Sequence, residues 1–278
     1  MQLSLRDLQM LAEHEYSIEE TRKDLNDLVE YFRAQPGQRE LLSDIFVNER
    51  KLPLSIYDEH KVFFVDDELR CEDLPEQFRA DALGFCKGPY VAYAGRLVYP
   101  VMDVRGNVMG FCGWDKFDKP KYLDSRNHGY KAKFTTFYGM EKLPEYYNNN
   151  KPVYVVEGIV CCLYLRSKGF QAIAILGSSL TKYVIQILKR MESRLIIIPD
   201  NDGFGKAGEE LDTELSGENF VKQAKRYLPK ARVIQSCVAK DVDDSRLFED
   251  GKYENTFLTE LRQVGISPFY FFKTIRVR

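Results

Sequence analysis

The chain has 278 residues, 44% of them hydrophobic and 29% charged, with a formal net charge of −2. That length allows one to three domains with a substantial core, and the composition is ordinary for a soluble globular protein. A membrane-spanning helix is excluded, because no stretch approaches the roughly 20 apolar residues that a span needs.

The first residues, MQLSLRDLQMLAEHEYS, carry acids and polar groups where a signal peptide needs a continuous apolar run. Six cysteines occur (Cys71, Cys86, Cys112, Cys161, Cys162 and Cys237), and none forms a CxxC pair. This argues against a zinc ribbon and predicts no zinc; reduced thiols in the cytoplasm are the default.

Residues 1–50 read as helical. Ser17 followed by Glu20 fits a capping box, and Ile18, Thr21, Leu25, Leu28 and Phe32 form a helical stripe before Pro36-Gly37 stops it. A second helix is predicted from Arg39 to Glu49. Residues 51–95 are mixed and carry no clear signature. From Arg96 the pattern changes to short β segments. Leu97 to Val101, a turn at Val104-Arg105-Gly106-Asn107, and Val108 to Phe111 read as a hairpin.

Residues 96–142 hold nine bases and five acids, a local charge of +4, with aromatics such as Tyr99, Trp114, Tyr122 and Phe134 interleaved. Bases with stacking rings suit a single-stranded nucleic acid or nucleotides; a solvated hairpin with a ring core has the same composition. Turn-forming residues at 146–150 set a domain boundary. The chain thus divides into a helical and mixed region (1–95), a basic subdomain (96–150), an α/β domain (151–245) and a tail (246–278). The aromatic tail Phe269-Tyr270-Phe271-Phe272 suits an edge strand or a docking segment.

After the boundary come strand 153–156, helix 159–168, strand 171–175, helix 180–191, strand 194–199, helix 205–227 and strand 231–236. This alternation predicts a parallel sheet covered by helices. Three acidic elements follow its strands: Glu157-Gly158, Asp200-Asn201-Asp202-Gly203, and Asp241-Val242-Asp243-Asp244. The carboxyl edge of such a sheet is where open α/β folds place ligands. Carboxylates gathered there repel one another unless a cation sits among them. Hard oxygen ligands suit Mg²⁺ or Mn²⁺, and such ions serve phosphoryl transfer.

Two blocks carry a family resemblance. VYVVEGIVCCLYLRSKGFQAIAILGSSLT, then LIIIPDNDGFGKAGEEL, resembles the Toprim domain of bacterial or phage-type (DnaG-like) DNA primases. Upstream, RLVYPVMDVRGNVMGFCGW, KPKYLDS and KAKFTTFYG are similar to the amino-terminal half of the primase polymerase core.

The resemblance implies a Toprim-type parallel sheet flanked by helices, preceded by a mixed α+β basic subdomain and a helical start. It implies a primase that makes RNA primers on a single-stranded DNA template from ribonucleoside triphosphates, with a replicative helicase as partner and no membrane. Carried over, Glu157, Asp200, Asp202, Asp241 and Asp243 would be metal-binding acids, the first three catalytic. Arg96, Arg105, Lys121, Lys131 and Lys133 would contact nucleotide or nucleic acid.

Two positions depart from the pattern. Cys161 stands where primases carry an aspartate, so one ion loses a ligand or Asp244 compensates, and Trp114 stands where they carry an arginine. With no CxxC or His/Cys cluster, the expected form is a core without the family's zinc-binding domain, of a kind that suits a phage or mobile element. The alternatives are a Toprim nuclease, or a decayed core that only binds DNA or helicase.

Overall fold

The computed structural model describes residues 5–49, 52–80, 83–115, 122–124, 137–177, 180–200, 216–234, 258–259 and 262. The chain forms two units, Met1–Lys133 and Phe134–Arg278.

In the first unit, helix α1 (Leu5–Arg33) is followed by α2 (Gln38–Ser43), a π-helical turn (Asp44–Glu49) and α3 (Leu54–Glu59). α1 runs through Ser17, which is therefore not a cap. The twelve or so residues ahead of Ser17 contain neither glycine nor proline, and their good helix formers carry the helix past the local start signal. Downstream, Leu25, Leu28, Val29 and Phe32 are buried at helical spacing. They pack on the sheet face that presents Phe63, Val98, Val108 and Phe111. Phe32 stacks on Phe63, with ring centroids 5.1 Å apart, and Phe63 meets Phe111 edge-to-face at 6.0 Å. Buried rings of this kind cost about 3–5 kcal/mol each when cut to alanine.

That sheet is antiparallel, in the order β1 (Phe63–Phe64), β4 (Leu97–Met102), β5 (Val108–Trp114), β6 (Tyr122–Asp124). A small ribbon, β2 (Cys86–Lys87) and β3 (Tyr90–Val91), stands apart from it. Pro100 lies beyond the two-residue pairing of β1, so its missing N–H breaks no ladder on that side. The β4–β5 turn is tied by Asp103, whose Oδ1 accepts from the Arg105 N–H at 2.8 Å and the Asn107 N–H at 3.0 Å.

Cys71 and Cys86 form a disulfide, where the sequence predicts free thiols. The Cys71 N–H bonds the Pro89 carbonyl beside the ribbon, which brings the two Cα atoms to 5.8 Å. Cys112, Cys161 and Cys162 are buried and form no disulfide among the described residues.

The first α-helix of the second unit, α4 (Leu143–Asn148), takes in the start of the 146–150 junction. Its core is a sheet of four parallel strands: β7 (Val153–Val156), β8 (Gln171–Ala174), β9 (Leu195–Ile197) and β10 (Arg232–Val233), in the order β10-β9-β7-β8. The linking helices are α5 (Ile159–Ser167), α6 (Lys182–Lys189) and α7 (Ser216–Tyr227). The parallel α/β architecture predicted from the alternation is the one observed.

Right-handed crossovers place α5 on one face, and α6 and α7 on the other, because the chain reverses direction across the sheet after β8. Val184, Leu188, Phe220, Ala224 and Leu228 of the α6/α7 layer pack on Val153, Val155, Ile173, Leu195 and Ile197, with Leu143 and Tyr146 beside them. Both faces are thus covered, and the central strands β7 and β9 read as unbroken apolar runs for that reason.

The outer edge of β8 is closed by residues 137–139. Tyr138 and Ala174 exchange both backbone hydrogen bonds, at 2.8 and 3.0 Å. Arg166 secures this segment: its Nε donates to the Ala172 carbonyl at 2.9 Å, and its NH1 meets Glu141 Oε1 at 3.0 Å.

Candidate metal and nucleotide site

The reversal of strand order falls between β7 and β9, and a crevice at the carboxyl ends of two such strands is the usual ligand position of an open α/β sheet. β7 ends at Glu157, and β9 leads through Ile198-Pro199 to Asp200. The register of the pair continues past the strands, since the Ile198 N–H bonds the Val155 carbonyl at 2.9 Å. This brings Glu157 Oε1 to 3.1 Å from the Asp200 backbone N–H, which donates to it. Glu157 is 8% exposed, and Asp200 is half-buried.

Gly158 is the N-cap of α5 in an extended conformation, and supplies no capping side chain. Behind it, Cys161 is buried, and an added Cβ at Gly158 would stand 3.9 Å from its sulfur. Burial pushes the neighbouring Cys162 thiol up to about 12, with Arg166 opposing, so that thiol is protonated at neutral pH. At the end of β8, Leu176 has a left-handed backbone (φ +59°), an unusual state for a leucine. The Leu-Gly pair there was legible only as part of the family pattern, and the strained φ was not.

Two of the five predicted cation ligands, Glu157 and Asp200, are therefore brought together on adjacent strand ends. Asp202, Asp241 and Asp243 lie outside the described residues, as does Asp244. Among the described residues no group of three His, Cys, Asp or Glu side chains could hold a metal ion. The donor set at the crevice consists of carboxylate oxygens, which fit a hard divalent cation rather than zinc.

Among the predicted bases, Arg105 is exposed on the β4–β5 turn. Arg96 is buried, at 3% exposure. Gly113 explains its position: a Cβ there would meet the Tyr93 ring at 2.6 Å and the Arg96 stem at 3.1 Å, so the strand glycine makes room for both. Trp114 is buried on the same strand. Lys121, Lys131 and Lys133 lie outside the described residues. No described helix is long and apolar enough to cross a membrane.

Residues 154–245 match the family model described as Toprim-like. The chain is 31% identical over 192 residues to a DNA primase of Legionella pneumophila, covering 67% of this chain and 31% of that protein. It is 36% identical over 160 residues to a DNA primase of Clostridium acetobutylicum, covering 57% of this chain and 25% of that protein. The chain thus spans between a quarter and a third of the length of these relatives. Among solved structures, a DnaG primase catalytic domain bound to ssDNA superposes with a TM-score of 0.68 at 20% identity, over 90% of this chain and 80% of that one. Fold and crevice together define an α/β protein with a Toprim domain. Its homologues are DnaG-type DNA primases, and its fold is that of the DnaG catalytic core.

Proposed function

We propose that this chain is the polymerising core of a DnaG-type primase, which joins ribonucleotides on a single-stranded DNA template. The observation that carries the reading is the Glu157–Asp200 pair at the strand-order reversal of a Toprim sheet, in a chain whose relatives are DNA primases.

In the proposed step the 3′-hydroxyl oxygen of one nucleotide attacks the α-phosphorus of the next. The bond to the β-phosphate oxygen breaks, pyrophosphate leaves, and the hydroxyl proton passes to solvent. A divalent cation, Mg²⁺ or Mn²⁺, would be held by Glu157 and Asp200, with Asp202, Asp241 and Asp243 in support. When bound it neutralises phosphate charge that the carboxylates alone would repel. Glu157 is oriented by the bond from Asp200, so its carboxylate costs little reorganisation when the charge arrives. Arg105, exposed on its turn, would meet phosphate from solvent. Arg96 packs beside Gly113, and it would join Lys121, Lys131 and Lys133 in contacting template and triphosphate. A replicative helicase remains the expected partner, and the cytoplasm the expected site of action.

The test is primer synthesis from labelled ribonucleotides on single-stranded DNA with Mg²⁺ or Mn²⁺. Product from the unaltered chain, lost in Glu157→Gln and Asp200→Asn, is expected. Full retention in both variants would sink the mechanism. Cleavage of the template in place of synthesis would favour the nuclease reading.

A further inference from the structure

The parallel sheet of the second unit separates its charges. Its strands end at Glu157 and Asp200, yet each is preceded by bases. The segments 149–152, 168–170, 189–194 and 225–231 carry Lys151, Lys168, Lys189, Arg190, Arg194, Lys225, Arg226 and Lys230, against one acid, Glu192. In a chain of net charge −2 this is a local excess of +7.

The helices run back against the strands, so the last turns of α6 and α7 lie at the strand starts. Two bonds join them there: Lys189 Nζ donates to the Tyr227 carbonyl at 3.0 Å, and the Lys230 N–H donates to Glu192 Oε1 at 2.8 Å. Glu192 is buried and also paired with Lys189 at 2.9 Å, so it is poorly placed to neutralise the outer bases. Lys151, Lys168, Arg190, Lys225, Arg226 and Lys230 are exposed.

Rings accompany the bases. Tyr227 is 40% exposed, with the Arg226 guanidinium 5.2 Å from its ring centre. Between Lys151 and Lys168 opens a cavity of about 240 Å³, walled by Tyr154, Phe170, Gln171 and Arg262. Gln171 is 8% exposed, and its amide oxygen has no hydrogen-bond partner among the described residues. Among the described residues the wall holds rings and cations and no carboxylate, which suits an anion that carries a flat apolar group. A row of such bases about 13 Å from the acidic edge, the length of a four-residue strand, suits a chain of phosphates.

We propose that the strand-start edge of the 134–278 unit is a second nucleic-acid surface, taking the phosphates of a single strand on these six bases. The exposed ring and the ring-lined cavity favour a single strand, whose bases are free to stack, over a duplex. The surface does not use the cation site at the opposite edge, so either can fail without the other.

The experiment is equilibrium binding of fluorescein-labelled oligothymidylate and oligouridylate of about 20 nucleotides, in EDTA, from about 50 to 200 mM salt. EDTA keeps the carboxyl-edge cation out of the measurement. One variant combines Lys151→Ser, Lys168→Ser, Arg190→Ser and Lys225→Ser; a second combines Arg226→Ser, Tyr227→Ser and Lys230→Ser. Circular dichroism checks that each folds.

Each base that no longer neutralises a phosphate lowers the salt slope by about 0.7, so the first variant should fall by about 3 in slope and at least about tenfold in affinity. Tighter binding of the DNA assigns the surface to template, and tighter binding of the RNA to product. Unchanged slope and affinity in both variants overturn the proposal. So does a loss confined to duplex DNA, or a loss of binding to phosphatidylserine vesicles while the oligonucleotides bind as before.

Discussion

The Asp200 backbone N–H donates to Glu157 Oε1 at 3.1 Å, so the two acid-bearing strand ends are joined before any ligand arrives. One oxygen of Glu157 accepts this bond, while the proposed role in catalysis belongs to the carboxylate charge. The two roles can be separated by substitution.

Glu157→Gln keeps an oxygen that accepts from Asp200 and removes the charge. Its thermal midpoint should stay close to that of the unaltered chain, while primer synthesis falls by about a hundredfold or more. Glu157→Ala also leaves the Asp200 N–H without its acceptor, at about 1–3 kcal/mol. Chemical denaturation of the two variants measures the difference. Equal stability of the glutamine and alanine variants would show that the bond is unimportant.

Gly139 and Gly169 give a paired test of backbone against packing. Both have positive φ, +94° and +82°. A Cβ at Gly139 would collide with the Arg166 guanidinium, whereas one at Gly169 meets nothing within 4 Å. Gly169→Ala should therefore show only backbone strain, about 1 kcal/mol. Gly139→Ala should cost distinctly more, because it also displaces the Arg166–Glu141 pair, which is 6% and 16% exposed. Urea unfolding of both proteins orders them.

The Cys71–Cys86 bridge closes a loop with a sequence separation of 15. Constraint of the unfolded chain over such a loop is worth about 3 kcal/mol on the chain-entropy account. A strong reductant, or Cys71→Ser, should lower the unfolding midpoint accordingly. An identical midpoint with and without reductant would count against the bridge as a stabilising element.

The bridge also marks what could not be read from the chain alone. Neither cysteine sits in a spaced motif; they meet because a 3₁₀ turn and a two-strand ribbon fold back on each other. Ser17 misled for the opposite reason: its local pattern is a sound start signal, but the preceding residues continue the helix. The family pattern assigns Arg96 to nucleotide or nucleic acid and says nothing of its burial, whereas a strand glycine leaves it a buried slot beside Tyr93. The parallel sheet was legible because its central strands are apolar runs and helical patterns alternate with the strands. Glu157 and Asp200 stood out because a carboxylate directly after such a run is conspicuous. Their direct bond depends on β7 and β9 being neighbours, a fact of topology and not of sequence order.

Glu192 offers a pH test at the other end of the sheet. Burial raises its carboxyl, but the Lys230 N–H and the Lys189 ammonium more than offset this, holding it below the usual glutamate range. A carboxylate depressed in the fold contributes stability above its unfolded value, near 4.5, and loses it as pH falls through the folded value. Glu192→Gln removes that contribution. The variant should be less stable than the unaltered chain at neutral pH, and the gap should close in acid, below the folded value. Denaturant titrations at neutral pH and at two acid values give both curves. Parallel curves, with a gap that never narrows, would show that the Lys189–Glu192–Lys230 contact adds no pH-dependent stability.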